Sequence, residues 1–150
     1  MTDGAGVTTS GYNAGNRVTA ITKGANVATY AYDAAGNVTS RTGAGVTTGA
    51  TFDDAGQLVA VTNPGGTTTY AYDWVGNPTG AVLASGVAQK RTFDRAGQLA
   101  GLATTGPGGP VGGVAYTRDG NGNPTSVDIS GPGGVTMTES MRLTMTVLTG

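Results

Sequence analysis

The chain has 150 residues, 37% of them hydrophobic, 11% charged and 28 of them glycine, with eight Lys and Arg against nine Asp and Glu. So dilute an apolar content builds only a thin core, and a net charge of -1 leaves no basic surface for nucleic acid or anionic lipid. Cys and His are both absent, which excludes disulfides, thiolate or imidazole metal ligands and His-based catalysis.

The first stretch, MTDGAGVTTSGYN, has neither a basic region nor an apolar run of signal-peptide length, and no segment has the length of apolar sequence that a membrane span needs. From Tyr12 onward one pattern recurs six times: an aromatic residue, Asp, two variable positions, Gly, then Asn or Gln. The first copy, Tyr12-Asn13-Ala14-Gly15-Asn16, reads as one residue short, with Asn13 for the Asp and Gly15 as its turn glycine. Four full copies follow, in which Asp33 precedes Gly36 and Asn37, Asp53 precedes Gly56 and Gln57, Asp73 precedes Gly76 and Asn77, and Asp94 precedes Gly97 and Gln98. In the sixth, Asp119 and Gly122 keep their places while Arg118 stands where the aromatic residue belongs.

That spacing has a local cause. An Asp opening a type I turn accepts a hydrogen bond from the backbone two residues on, and a Gly three residues later takes the left-handed conformation that closes a bulged hairpin. Each D-x-x-G is therefore expected to be a hairpin tip. Tyr30 and Tyr32, like Tyr70 and Tyr72, lie two apart on one strand face, and the segments RVTAIT, NVTSRT and QLVAVT that follow the tips are rich in β-branched residues. No apolar stripe of helical period persists. A second set of breakers falls between the tips, at KGAN, GAG, NPGG, ASG and two PGG segments. Asn63-Pro64-Gly65-Gly66 suits a type II turn with positive φ at Gly65. Two strands and two turns per period give about a dozen strands, more than an open twisted sheet carries without curling.

The expected fold is all-β: tandem antiparallel hairpins of about 20 residues each in a curled sheet. Residues 1–134 form the array, and residues 135–150 a truncated or degenerate further strand. There Val135, Met137, Met141, Leu143, Met145 and Val147 alternate with threonines, but no D-x-x-G is reached.

The tandem copies, over roughly residues 8–128, resemble YD repeats, the unit of bacterial Rhs proteins, of the cage-forming subunits of insecticidal toxin complexes and of the teneurin barrel. The resemblance implies an open segment of a β-spiral shell, a structural wall around a toxin cargo, in a bacterial protein that is secreted or at the cell surface. It implies further YD repeats, in the same or a neighbouring chain, as partners. Six copies are fewer than a closed shell takes, and no Asp is followed by Pro, as the self-cleavage motif of Rhs proteins would require. The chain is accordingly expected to be a fragment, a remnant or one open stretch of a larger array, without the toxin domain.

The residues allow a second function. Tyr30, Tyr32, Tyr70, Tyr72 and Trp74 present flat amphipathic rings suited to a glycan, which makes the alternative an adhesive carbohydrate-binding module. Aromatic residues in strands more often pack the sheet. The Asp residues could be ligands or paired carboxylates, but Asp33, Asp53, Asp73, Asp94 and Asp119 all stand where a turn needs them. DGNGNP at 119 has oxygens at alternate positions of a calcium loop, yet Pro124 and Ser130 stand where that loop needs Gly and Glu. GPGGPVGG at 106 lacks the Lys and helix of a phosphate loop. No catalytic, metal or cofactor site is expected, and open sheet edges predict self-association.

Overall fold

A computed structural model describes residues 2–3, 6–134 and 136–140. They form fourteen strands and one 3-10 turn, with no α-helix among the described residues. By their internal contacts they fall into two compact units, Met1–Tyr70 with Leu83–Ser85, and Ala71–Val82 with Gly86–Gly150.

In the first unit β1 (Thr2–Asp3), β2 (Gly6–Tyr12), β3 (Val18–Lys23), β4 (Asn26–Tyr32), β5 (Val38–Gly43), β6 (Val46–Phe52), β7 (Leu58–Asn63) and β8 (Gly66–Tyr72), whose last two residues group with the second unit, follow each other in chain order. In the second, β9 (Pro78–Val82), β10 (Ala88–Phe93), β11 (Leu99–Gly106), β12 (Gly109–Arg118), β13 (Pro124–Ser130) and β14 (Thr136–Ser140) do the same. Every recorded pairing is antiparallel, as short connections between successive strands require. The expected all-β array of hairpins is the observed one. Of the further strand expected over 135–150, Thr136–Ser140 pairs with β13 as β14, and the rest lies outside the described residues.

The connections are mostly of two kinds. At the tips of Asp33, Asp53 and Asp94 the ladder slips by one residue beside the aromatic position, between Ala31 and Tyr32, Thr51 and Phe52, and Thr92 and Phe93. These are β-bulges, and they swing the strand into the tip. Most other connections are tight two-residue hairpins, such as the one in which Gly43 pairs with Val46, while β9 joins β10, and β13 joins β14, through longer segments, with Val82 paired to Ala88 and Ser130 to Thr136. Between Gly43 and Val46, Ala44 and Gly45 both have positive φ, 51° and 77°, the signature of a type I′ turn. Asn63-Pro64-Gly65-Gly66 is not the expected type II turn: the positive φ, 121°, falls on Gly66 and not on Gly65. Asn63 Oδ1 accepts the Gly65 N–H at 2.8 Å, an Asx cap that stabilises a type I geometry and pushes the left-handed residue one place on.

Only Val127, 8% exposed, is buried among the described residues. Among the described residues no second layer covers either face of the strands within a unit, and two faces of different character stand in place of a core. Cross-strand partners share a face. In the first unit one row runs Gly11, Ala20, Thr29, Thr42, Thr47 and the next Ala31, Ser40, Gly49, Thr62, Thr67. That face is made of small side chains. The opposite face carries Ile21, Tyr30, Arg41 and Val61. The second unit repeats the division except at Lys90, with Gly80, Lys90, Ala103, Gly113, Ser130 and Thr136 in one row and Arg91, Leu102, Val114, Ile129 and Met137 in another.

Candidate functional site

The tips are where this sequence concentrates its polar chemistry. In the tip at 33–37 the Asp33 N–H donates to Asn37 O at 3.0 Å and the Gly36 N–H to Asp33 O at 3.2 Å. Asp33 Oδ1 then accepts from the backbone N–H of Gly36 and of Asn37, at 2.7 and 2.8 Å. The tips of Asp53, Asp73, Asp94 and Asp119 share the closing pair of backbone bonds, and in each Oδ1 accepts from the N–H groups two and four residues on. The glycines Gly36, Gly56, Gly76, Gly97 and Gly122 all have positive φ, between 76° and 101°. A side chain there strains the backbone whatever the surroundings.

The first tip corrects the sequence reading. Asn13 Oδ1 accepts from Gly15 and Arg17 N–H, both at 3.0 Å, and the positive φ of 57° belongs to Asn16, not to Gly15. The copy is full length. Asn16 takes the glycine's place, which Asn tolerates better than other side chains, and Arg17 takes that of Asn or Gln.

The choice between Asn and Gln turns out to matter. Asn37, Asn77 and Asn123 each fold back to donate Nδ2–H to the second oxygen of their own Asp, at 2.9, 2.9 and 3.2 Å. For Asp33 that side-chain bond is the largest influence and, with the backbone donors, holds its carboxyl below the ordinary value. At Asp73 desolvation is the largest single influence and pushes upward, but the bonds from Asn77, Val75 and Gly76 together outweigh it and the carboxyl is again lowered. The Asn123 backbone N–H, then its side chain, lowers Asp119.

Arg17 and Gln98, with longer side chains at this position, reach to the next tip instead. The Arg17 guanidinium lies against Gly36, whose hypothetical Cβ would sit 2.5 Å from Nη2, and the Gln98 amide lies against Gly122, at 3.1 Å by the same measure. After Asn37 and Asn77 the next tip glycines, Gly56 and Gly97, have nothing within 4 Å of that position. A returning bond answers the reaching one. Tyr32 donates its hydroxyl to Val18 O at 2.7 Å, and its ring lies 5.7 Å from the Arg17 guanidinium. Arg118, in the aromatic position of the last tip, donates Nη2–H to Leu99 O at 2.9 Å, and Val18 and Leu99 occupy the same place, one residue past the preceding tip. The departure from the aromatic rule thus preserves the bond. Its Nε lies 3.7 Å from Asp94 Oδ2.

Of the rings named as glycan contacts, Tyr30, Tyr32, Tyr70 and Tyr72 are half-buried on β4 and β8. Trp74 is not with them: it sits at the tip of 73–77, 95% exposed. No group of three or more acidic residues that could hold a metal occurs among the described residues. The side chains of Asp33, Asp53, Asp73, Asp94 and Asp119 are thus engaged in closing tips, and those of Arg17, Tyr32, Gln98 and Arg118 reach from one tip towards the next.

The family model of the teneurin YD-shell matches residues 2–111. The chain belongs to this family. Within the YD-shell family the role of such repeats is structural, and the chain is a shell-repeat module built as a scaffold. Two solved structures share its fold. The crystal structure of TcdB2-TccC3-TEV is 20% identical with a TM-score of 0.66, covering 87% of this chain and 8% of that one. The structure of TcdB2-TccC3 is 19% identical with a TM-score of 0.64, covering 86% of this chain and 8% of that one. The chain thus spans about 8% of the length of these relatives. No curated protein matches it.

Proposed function

We propose that this YD-shell module is a wall segment of a secreted or cell-surface bacterial shell that encloses a toxin cargo, with residues 1–134 as the repeat array. The observation that carries the reading is that Val127 alone is buried among the described residues. A sheet bare on both faces has little of the apolar burial that stabilises an isolated domain. Its design makes sense as wall material, where one face looks onto a lumen and further repeats continue the ladder at the edges. The 8% coverage of the solved chains supports further repeats as the partners that complete the wall. A scaffold also fits carboxylates that are engaged within turns.

The test compares the chain alone with the chain joined to further YD repeats. Far-UV circular dichroism should show β structure in both, and thermal unfolding should show the joined form melting several degrees higher, because nearest-neighbour interfaces add stability in repeat arrays. A helical or featureless spectrum, or a melting temperature indifferent to the added repeats, defeats the reading.

A further inference from the structure

Alone among the tips, the one at 119–123 sets a glycine after both an Asp and an Asn, in the run Asp119-Gly120-Asn121-Gly122. Each pair offers a side-chain carbonyl to an unhindered backbone nitrogen one residue on, the arrangement from which a succinimide ring closes. The structure separates the two. Asp119 Oδ1 accepts from Asn121 N and Asn123 N, both at 2.9 Å, and Oδ2 from Asn123 Nδ2 at 3.2 Å. These bonds, the Asn123 backbone N–H foremost, hold its carboxyl below the ordinary value, and an ionised carboxylate is a poor electrophile. Asn121 is exposed, and its side-chain amide has no partner among the described residues. Of the eight asparagines, Asn63, Asn77 and Asn123 precede Pro, whose nitrogen has no hydrogen to lose. Four more precede Ala, Arg or Val, whose side chains crowd the attacking nitrogen. Only Asn121 is followed by glycine.

We propose that Asn121 is a site of spontaneous modification, converting to isoaspartate and aspartate at a rate set by its own tip. The Gly122 nitrogen gives its proton to a solvent base and attacks Asn121 Cγ, so that a C–N bond forms; the Cγ–Nδ2 bond then breaks, and ammonia leaves after taking a proton back from solvent. Water opens the succinimide at either carbonyl, and the net change is an amide and water to an acid and ammonia. In the folded tip the attacking nitrogen is occupied. The Gly122 N–H donates to Asp119 O at 3.0 Å, and the Gln98 amide lies against the glycine. The ring closes only when the tip opens, so the three bonds that Asp119 accepts are a brake on the reaction. The isoaspartate product carries the main chain through Cγ and adds a methylene before the Gly122 nitrogen. The closing pair, Asp119 N–H to Asn123 O and Gly122 N–H to Asp119 O, then no longer fits, and the hairpin of β12 and β13 loosens with age. This site goes beyond the wall reading and does not depend on it.

The full chain is kept in warm, mildly alkaline buffer, with and without urea, and the tryptic peptide that follows Arg118 is watched by mass spectrometry over time. It should gain the mass of an amide exchanged for an acid, in two forms of equal mass that separate by chromatography, and fragmentation should place the change at Asn121. Urea, which opens every tip, should speed the reaction about tenfold or more. Asp119→Ala removes three bonds from this tip and should speed it about tenfold without urea. Asp53→Ala uncaps a tip of the first unit instead and should leave the rate at Asn121 as it is in the parent. No change at Asn121, a faster change at another asparagine, equal rates with and without urea, or Asp119→Ala no faster than Asp53→Ala overturns the proposal. None of these results bears on the wall reading, which the chain joined to further repeats tests separately.

Discussion

Asn13 shows what an Asp at a tip adds, because with a neutral amide it too accepts two backbone bonds, from Gly15 and Arg17, where Asp33 accepts from Gly36 and Asn37. The surplus at Asp33 is its second oxygen, held by Asn37 Nδ2, and its sign with pH can be worked out. The folded carboxyl lies below its ordinary value, so the folded state favours the ionised form. That stabilisation is complete above the unfolded value, near 3.9, and is lost as pH falls through that region towards the lowered folded value. Asp73 and Asp119 act in the same direction. The melting temperature should therefore hold from pH 7 to about 5 and fall below about 4. Asp33→Asn should melt a few degrees lower at pH 7 and approach the parent at pH 3; a gap of the same size at both pH values would refute the charge-based account. Ala44 carries the opposite defect, a Cβ at φ 51°. Ala44→Gly should raise stability by about 0.5–1 kcal/mol, the relief of left-handed strain less the added freedom of glycine when unfolded, as urea titration would measure.

At the scale of the hairpin, glycines that look alike in the sequence do different work. Gly113 has no positive φ, yet a Cβ there would lie 2.7 Å from Leu102 O and 3.1 Å from Ser130 Oγ, so β11, β12 and β13 meet closely at that point. Gly113→Ala should cost about 1–3 kcal/mol by forcing strands apart, whereas Gly108→Ala, with open space around it, should stay within about 0.5 kcal/mol. Equal costs in chemical denaturation would remove close approach as the reason for Gly113. The tips were legible because one Asp and one Gly, three residues apart, decide a local geometry by themselves. What was not legible depended on a competitor. Asn16 took the left-handed place from Gly15 once Asn13 capped the turn, and the Asn63 cap moved the positive φ from Gly65 to Gly66. The joining of tips was missed although the sequence carries its signal: Tyr32 and Tyr72 go with Asn37 and Asn77, Phe52 and Phe93 with Gln57 and Gln98. That correlation has a period of two repeats, and a reading that treated Asn and Gln as equivalent could not see it.

For the molecule as a whole, the ratio of ladder to core sets the behaviour. Hydrogen bonds between strands fix nearly every described segment, while almost no side chain leaves water completely. Unfolding therefore exposes less apolar surface than it does in a two-layer domain of equal length, and the denaturant dependence scales with that surface. The urea m-value should be about 1 kcal/mol/M, at the low end for small proteins. A value near 3 would mean that a covered core exists in solution, through a second copy or a closed form. Repeating the titration over a hundredfold range of protein concentration separates the two: sheet edges that recruit other chains make the midpoint rise with concentration, and an intramolecular core leaves it fixed. A low m-value with a fixed midpoint is the result expected of a lone chain in which each hairpin is stabilised chiefly by its neighbours. Self-association through the edges would instead appear as a rising midpoint together with a concentration-dependent sedimentation coefficient.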